Sequence, residues 1–61
     1  MPKNIDEVEP ATYSVEQTAK VLGLSRAQAY VSVRDGEIPS FRIGGRVLVP
    51  RKRLHAMIDG E

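Results

Sequence analysis

Three residues, Gly23-Leu24-Ser25, separate one helix-forming stretch from the next, and this spacing constrains the chain more than any other feature. Upstream, Ser14-Val15-Glu16-Gln17 has the form of a capping box: the serine hydroxyl takes the amide three residues on, and the glutamine reaches back. Val15, Ala19 and Leu22 then recur at the spacing of one helical face. Gly23 ends this helix of about eight residues, because glycine takes the left-handed conformation of a helix C-terminus without steric cost. Ser25 is a second N-cap, and the pattern predicts a helix from there to about Asp35, closed by Gly36. Ala29 and Val33 are four apart and are expected to face the core; Arg26, Gln28, Tyr30, Val31 and Arg34 occupy the other faces. One glycine and one cap between two helices is the sequence form of a helix-turn-helix.

Downstream, Pro39 forbids helix and puts Ile38 in extended geometry. Phe41-Arg42-Ile43 and Arg46-Val47-Leu48-Val49 flank Gly44-Gly45, the signature of a tight β-hairpin. Alternation along each strand puts Phe41 and Ile43 on one face with Arg42 on the other. Val47 and Val49 share a face, so Leu48 is expected to point outward with Arg42 and Arg46. Pro50 suits the first turn of a last helix running to about Asp59, with Leu54 and Ile58 inward, Met57 beside them and Gly60 as the stop. The expected core is Val15, Ala19, Leu22, Leu24, Ala29, Val33, Ile38, Phe41, Ile43, Val47, Val49, Leu54 and Ile58. The fold class is α+β: a helix-turn-helix, a two-stranded hairpin and a C-terminal helix, over residues 13–61. Residues 1–12 hold two prolines, three acids and no periodic apolar face, and are expected to form a flexible acidic lead-in.

A chain of 61 residues is one domain at most. The absence of cysteine excludes disulfides and thiolate metal sites, and the single histidine, His55, excludes a multi-histidine zinc site. No run of 18 apolar residues and no apolar leader core is present, so a cytoplasmic location is expected. His55 has no partner nucleophile in sequence, and Ser14, Ser25 and Ser40 are explained as caps and turn residues. Gly44-Gly45 lacks the flanks of a phosphate-binding loop. No catalytic residue, metal, cofactor or small-molecule ligand is therefore expected.

The formal net charge of +1 conceals an asymmetry. Residues 1–10 sum to −2, whereas residues 26–53 carry seven basic side chains against Asp35 and Glu37, a sum of +5. A basic body of this kind fits a nucleic-acid surface, and equally a solvated face. The placement of the charges is more informative. Arg26 and Arg34 are able to read base edges or hold phosphates, and Gln28 to pair with adenine. Ser25 at a helix N-terminus suits a phosphate oxygen, and Tyr30 can stack or bond through its hydroxyl. The competing reading is an αα-hairpin with the same side chains merely solvated. Arg42 and Arg46 flank the hairpin tip, as in a wing that enters a minor groove or follows phosphates. Alone, the hairpin would read as an ordinary one. Arg51-Lys52-Arg53 opposes the dipole of its helix, which a nearby phosphate backbone would explain; a solvated face fits each residue as well. Lys20 is isolated and is given no role. An outward Leu48 is either incidental or a contact with a neighbouring copy on DNA.

Taken together, Tyr13-Ser14-Val15-Glu16-Gln17-Thr18-Ala19, Leu22-Gly23-Leu24-Ser25-Arg26, Asp35-Gly36-Glu37-Ile38-Pro39, Arg42-Ile43-Gly44-Gly45-Arg46 and Val49-Pro50-Arg51 resemble the excisionase-type, MerR-like winged helix-turn-helix domains. The likeness runs from Tyr13 to about Ile58. It implies a winged domain that binds double-stranded DNA, with contacts on Ser25, Arg26, Gln28, Tyr30, Arg34, Arg42, Gly45 and Arg46, to which the basic run adds Arg51. It further implies head-to-tail copies on DNA, DNA bending and, for some members, help to a phage or mobile-element integrase in directing recombination toward excision. Other members are small transcription regulators, and a stand-alone regulator is the alternative. A third possibility is a protein-interaction module such as a toxin antidote, without salt-sensitive DNA affinity. Val31 and Ser32 depart from the family pattern, which often has a basic or polar residue and then a larger aliphatic. Val31 suits a thymine methyl, and Ser32 is expected to loosen the core. Full-length MerR regulators carry a dimerisation helix and an effector domain that this sequence lacks, so ligand and metal sensing are not implied.

Overall fold

The computed structural model describes residues 10–60. The elements are β1 (Thr12–Tyr13), α1 (Val15–Leu22), α2 (Arg26–Arg34), β2 (Phe41–Ile43), β3 (Arg46–Pro50) and α3 (Arg51–Asp59). The strands form an antiparallel sheet in the order β1-β3-β2. The architecture is α+β, a small winged helix-turn-helix.

The capping signals place the helices. The Ser14 hydroxyl accepts from the Gln17 amide at 3.1 Å, and the Ser14 amide donates to the Gln17 side chain at 2.9 Å, a complete capping box. At the far end of α1, Gly23 adopts φ +71°. Its amide donates to Lys20 O, and the Leu24 amide donates to Ala19 O at 2.8 Å, a Schellman closure. The Ser25 hydroxyl then accepts from the Gln28 amide at 3.1 Å and starts α2. A second closure of the same type ends α2 at Gly36 (φ +80°), with Glu37 N donating to Ser32 O at 2.9 Å.

Two apolar clusters hold the domain. Val15, Ala19 and Ala29 pack between α1 and α2, with Val33 and Val47 against them. Ile38, Val49 and Leu54 form the second, with Tyr13, Leu22 and Val33 against it. Val33 belongs to both and joins them. Thr18 and Ser32 are buried polar residues, neither in the expected core. The Thr18 hydroxyl donates to Ser14 O at 2.9 Å, and the Ser32 hydroxyl accepts from the Gln28 side-chain amide at 3.1 Å. Both polar groups are satisfied within their own helices, so burial costs little. Ser32 therefore fills its place as a partnered group.

The hairpin departs from the expected face assignment. Gly44 and Gly45 are both at positive φ, as a two-residue turn of this hand requires. The turn sets the pairs Ile43 with Arg46, Arg42 with Val47 and Phe41 with Leu48. Residues directly opposite share a face, so Arg42 lies on the face of Val47, while Phe41 and Ile43 lie on that of Leu48 and Arg46. Phe41 and Ile43, expected in the core, are 41% and 60% exposed. Leu48, expected outside, is half-buried on the face it shares with Phe41, its partner across the ribbon. Reading each strand by itself fixed the alternation but not the register, and a shift of one residue exchanges the faces.

Two further core expectations are corrected. Leu24 lies exposed at the turn, its backbone rather than its side chain closing the helix. Ile58 is exposed although it shares a face with Leu54, one turn earlier, which is fully buried against Ile38 and Val49; the cover on α3 does not reach its last turn. Pro50 belongs to β3 and caps α3 in extended geometry (φ −66°, ψ 123°), so α3 begins at Arg51.

Strand β1 was not expected. Thr12 pairs with Pro50 and Tyr13 with Val49, and the Arg51 amide donates to Ala11 O at 3.0 Å. Among the described residues, contacts to the domain thus include Pro10 and Ala11 of the acidic segment; residues 1–9 lie outside the described residues.

Candidate nucleic-acid interface

Helix α2 buries Ala29 and Ser32 and half-buries Val33. At about 100° per residue, this leaves Arg26, Tyr30 and Arg34 in one stripe on the exposed side. Ala27 and Val31 continue that surface. Gln28 sits at its far edge, about 160° around from Tyr30, with its side-chain amide given to Ser32. The Ser25 hydroxyl accepts from Gln28 N, which leaves its own proton free to donate.

The stripe is held by neighbours. Arg26 Nη2 lies 3.3 Å from Glu16 Oε2 on α1, and the Tyr30 hydroxyl donates to the same oxygen at 3.4 Å. The Arg26 guanidinium stands over the Tyr30 ring, 5.7 Å from its centroid. Arg34 pairs with the adjacent Asp35 at 3.2 Å.

The hairpin stands beside this helix. One surface cleft is lined by Tyr30, Val33 and Arg34 of α2 together with Ser40, Phe41, Arg42 and Val47. A second is lined by Ser14, Val15, Glu16 and Tyr30 together with Gly45, Arg46 and Val47. Tyr30 therefore lies between the two clefts, and the fold brings Arg34 and Arg42 together in one and Gly45 and Arg46 beside Glu16 in the other. Among the described residues, neither Arg42 nor Arg46 has an acidic partner within 4.0 Å. Gly45 adopts φ +81° with open space where a Cβ would stand, so backbone conformation, not crowding, favours glycine there.

Arg51 lies apart from both clefts. One of its guanidinium nitrogens donates to Pro10 O at 2.7 Å, and the group stands over the Tyr13 ring, 5.2 Å from the centroid. Tyr13 in turn shares a 2.8 Å hydrogen bond with His55 Nε2. These contacts fasten β1 to the start of α3. Lys52 and Arg53 are exposed on the same helix. Sequence reasoning missed Glu16 as a partner of the stripe, because the contact depends on how α1 crosses α2. It also missed the Tyr13–His55 pair, whose members are 42 positions apart. Among the described residues no group of three or more His, Asp or Glu side chains is placed to hold a metal ion, and no helix is long and apolar enough to cross a membrane.

The comparisons agree with this geometry. Residues 12–61 match the family described as "Helix-turn-helix domain". A "Probable excisionase" from Saccharopolyspora erythraea is 50% identical over 41 residues, which is 67% of this chain and 42% of that protein. The chain thus spans less than half the length of this relative. No solved structure matches. With its capped helix pair, three-residue turn and adjoining hairpin all inside the matched span, the chain belongs to the helix-turn-helix domain family.

Proposed function

We propose that this protein binds double-stranded DNA as an architectural factor in site-specific recombination, acting as a phage or mobile-element excisionase. The observation that carries the reading is the shared cleft, in which Tyr30 and Arg34 of the second helix stand beside Arg42 of the hairpin. A helix in the major groove and an adjoining ribbon along the backbone or minor groove need that adjacency. In this reading Arg26 and Arg34 contact base edges, with Tyr30 between them and Gln28 at the margin. Ser25 donates to a phosphate at the helix N-terminus. Arg42 and Arg46 follow the backbone, and Gly45 lets the ribbon tip approach it closely. Arg51 holds the β1–α3 junction and adds positive charge beside it. The excisionase assignment is supported by the likeness to the Saccharopolyspora erythraea protein.

A domain this small covers few base pairs, so several copies head-to-tail would raise specificity, bend the DNA and shape an attachment site for an integrase. No catalytic step belongs to that role. The test is a gel-shift titration on two labelled duplexes, the attachment site of the encoding element and the promoter of the protein's own gene. A ladder of cooperative complexes on the attachment site is expected. Preference for the promoter would make the protein a stand-alone transcription regulator. No salt-sensitive shift on either would overturn DNA binding and favour a protein-interaction module.

A further inference from the structure

Among the described residues, Glu16 is the one acid that contacts the exposed stripe of α2 from another element. A single oxygen, Oε2, takes both the Arg26 guanidinium and the Tyr30 hydroxyl, at 3.3 and 3.4 Å, while Arg26 stands over the Tyr30 ring. The three side chains close a ring. Both members of the ion pair are largely in solvent, with side-chain exposures of 71% and 48%, so the pair contributes little to folding. Its consequence is positional: a long, flexible arginine is drawn back against α1 and over an aromatic face.

That position matters for an interface with nucleic acid. Phosphates are everywhere along a duplex, and each free guanidinium that neutralises one adds affinity without adding information. A guanidinium engaged by a carboxylate neutralises one phosphate fewer. A backbone phosphate, with two free oxygens, also fits the guanidinium fork, but only a guanine edge, with O6 and N7, makes that match depend on sequence. We infer that Glu16 is a specificity-determining positioning residue, which acts through Arg26 and Tyr30 to suppress binding to the sugar-phosphate backbone in favour of base-edge readout. This rests on the DNA-binding reading above.

The test uses the full chain and two probes: a random-sequence duplex of about 30 base pairs, and a library of duplexes with a randomised centre for selection. Glu16→Gln keeps an acceptor oxygen and loses the charge. It is expected to bind the random duplex more tightly, with a salt slope steeper by about one, and to select a less defined sequence than the wild-type chain. Glu16→Asp keeps the charge but is one methylene shorter; it is expected to lose selectivity with less change in slope. In an Arg26→Ala background, Glu16→Gln is expected to leave the slope nearly unmoved, because the coupling has lost its second member. Thermal unfolding of each variant confirms that the fold is intact. Unchanged slope and selected sequence in Glu16→Gln, or an equal effect with and without Arg26, would overturn the inference while leaving DNA binding in place. Absence of salt-dependent binding by the wild-type chain would remove both.

Discussion

The two arginine-bearing regions of this domain are built differently. On α2 the guanidinium groups are engaged: Arg26 by Glu16 and Tyr30, Arg34 by Asp35. On the hairpin, Arg42 and Arg46 have no acidic partner among the described residues. An engaged guanidinium is oriented before any ligand arrives, and exchanging its partner for a ligand gives little net attraction unless the new geometry is better. A free guanidinium gains from any phosphate within reach. Under the proposed function, this contrast predicts that the helix discriminates between sequences and that the ribbon supplies general attraction.

Four substitutions would break or sharpen that contrast. The largest effect is expected from Arg26→Ala, which should cost about 1–3 kcal/mol on a selected site and relax the preference at one base position. Binding titrations on matched and mismatched duplexes measure it. Gly45→Ala forces an L side chain into a left-handed backbone and should destabilise the hairpin by about 1–2 kcal/mol, read as a lower midpoint in chemical denaturation. Space is open at that position, so a null result would show that the ribbon tip readjusts. Arg51→Gln removes the charge-assisted bond to Pro10 O and the contact over Tyr13, and should cost about 1 kcal/mol of stability. Its salt slope should change less than that of Arg46→Ala; an equal change would place Arg51 on the backbone with the ribbon. The smallest effect is expected from Gln28→Ala, under about 1 kcal/mol in binding, because Gln28 lies at the edge of the exposed face and donates to Ser32. A large loss at an adenine position would return Gln28 to the centre of the interface.

Much of the fold is written in single residues. Ser14, Gly23, Ser25, Gly36 and Gly60 bound the three helices because caps act over four or five positions, a range that sequence displays directly. The hairpin face was legible only in part. Alternation along Phe41–Ile43 and along Arg46–Pro50 is local, but the pairing of Phe41 with Leu48 follows from the length of the turn between them. Strand β1 has two residues, too few for a period, and exists because Val49 and Pro50 offer it a partner edge. Thr18 has no place in the expected core and Ser32 is expected to loosen it; the burial of both rests on hydroxyl bonds made inside their helices. In the candidate site, the arginines and Tyr30 were visible as residues on a helix. Their partnership with Glu16 was not, since it is set by the packing of α1 on α2 through Ala19 and Ala29.

The division between helix and ribbon can be measured directly. The dependence of log Kobs on log salt would be recorded for the wild-type chain, Arg26→Ala and Arg46→Ala, each on a selected duplex and on a scrambled one of equal length. Arg46→Ala should weaken both duplexes alike and lower both slopes by about one. Arg26→Ala should weaken the selected duplex far more than the scrambled one, with a smaller change in slope. The reverse pattern, with Arg46→Ala altering sequence preference and Arg26→Ala altering only the salt slope, would contradict the account.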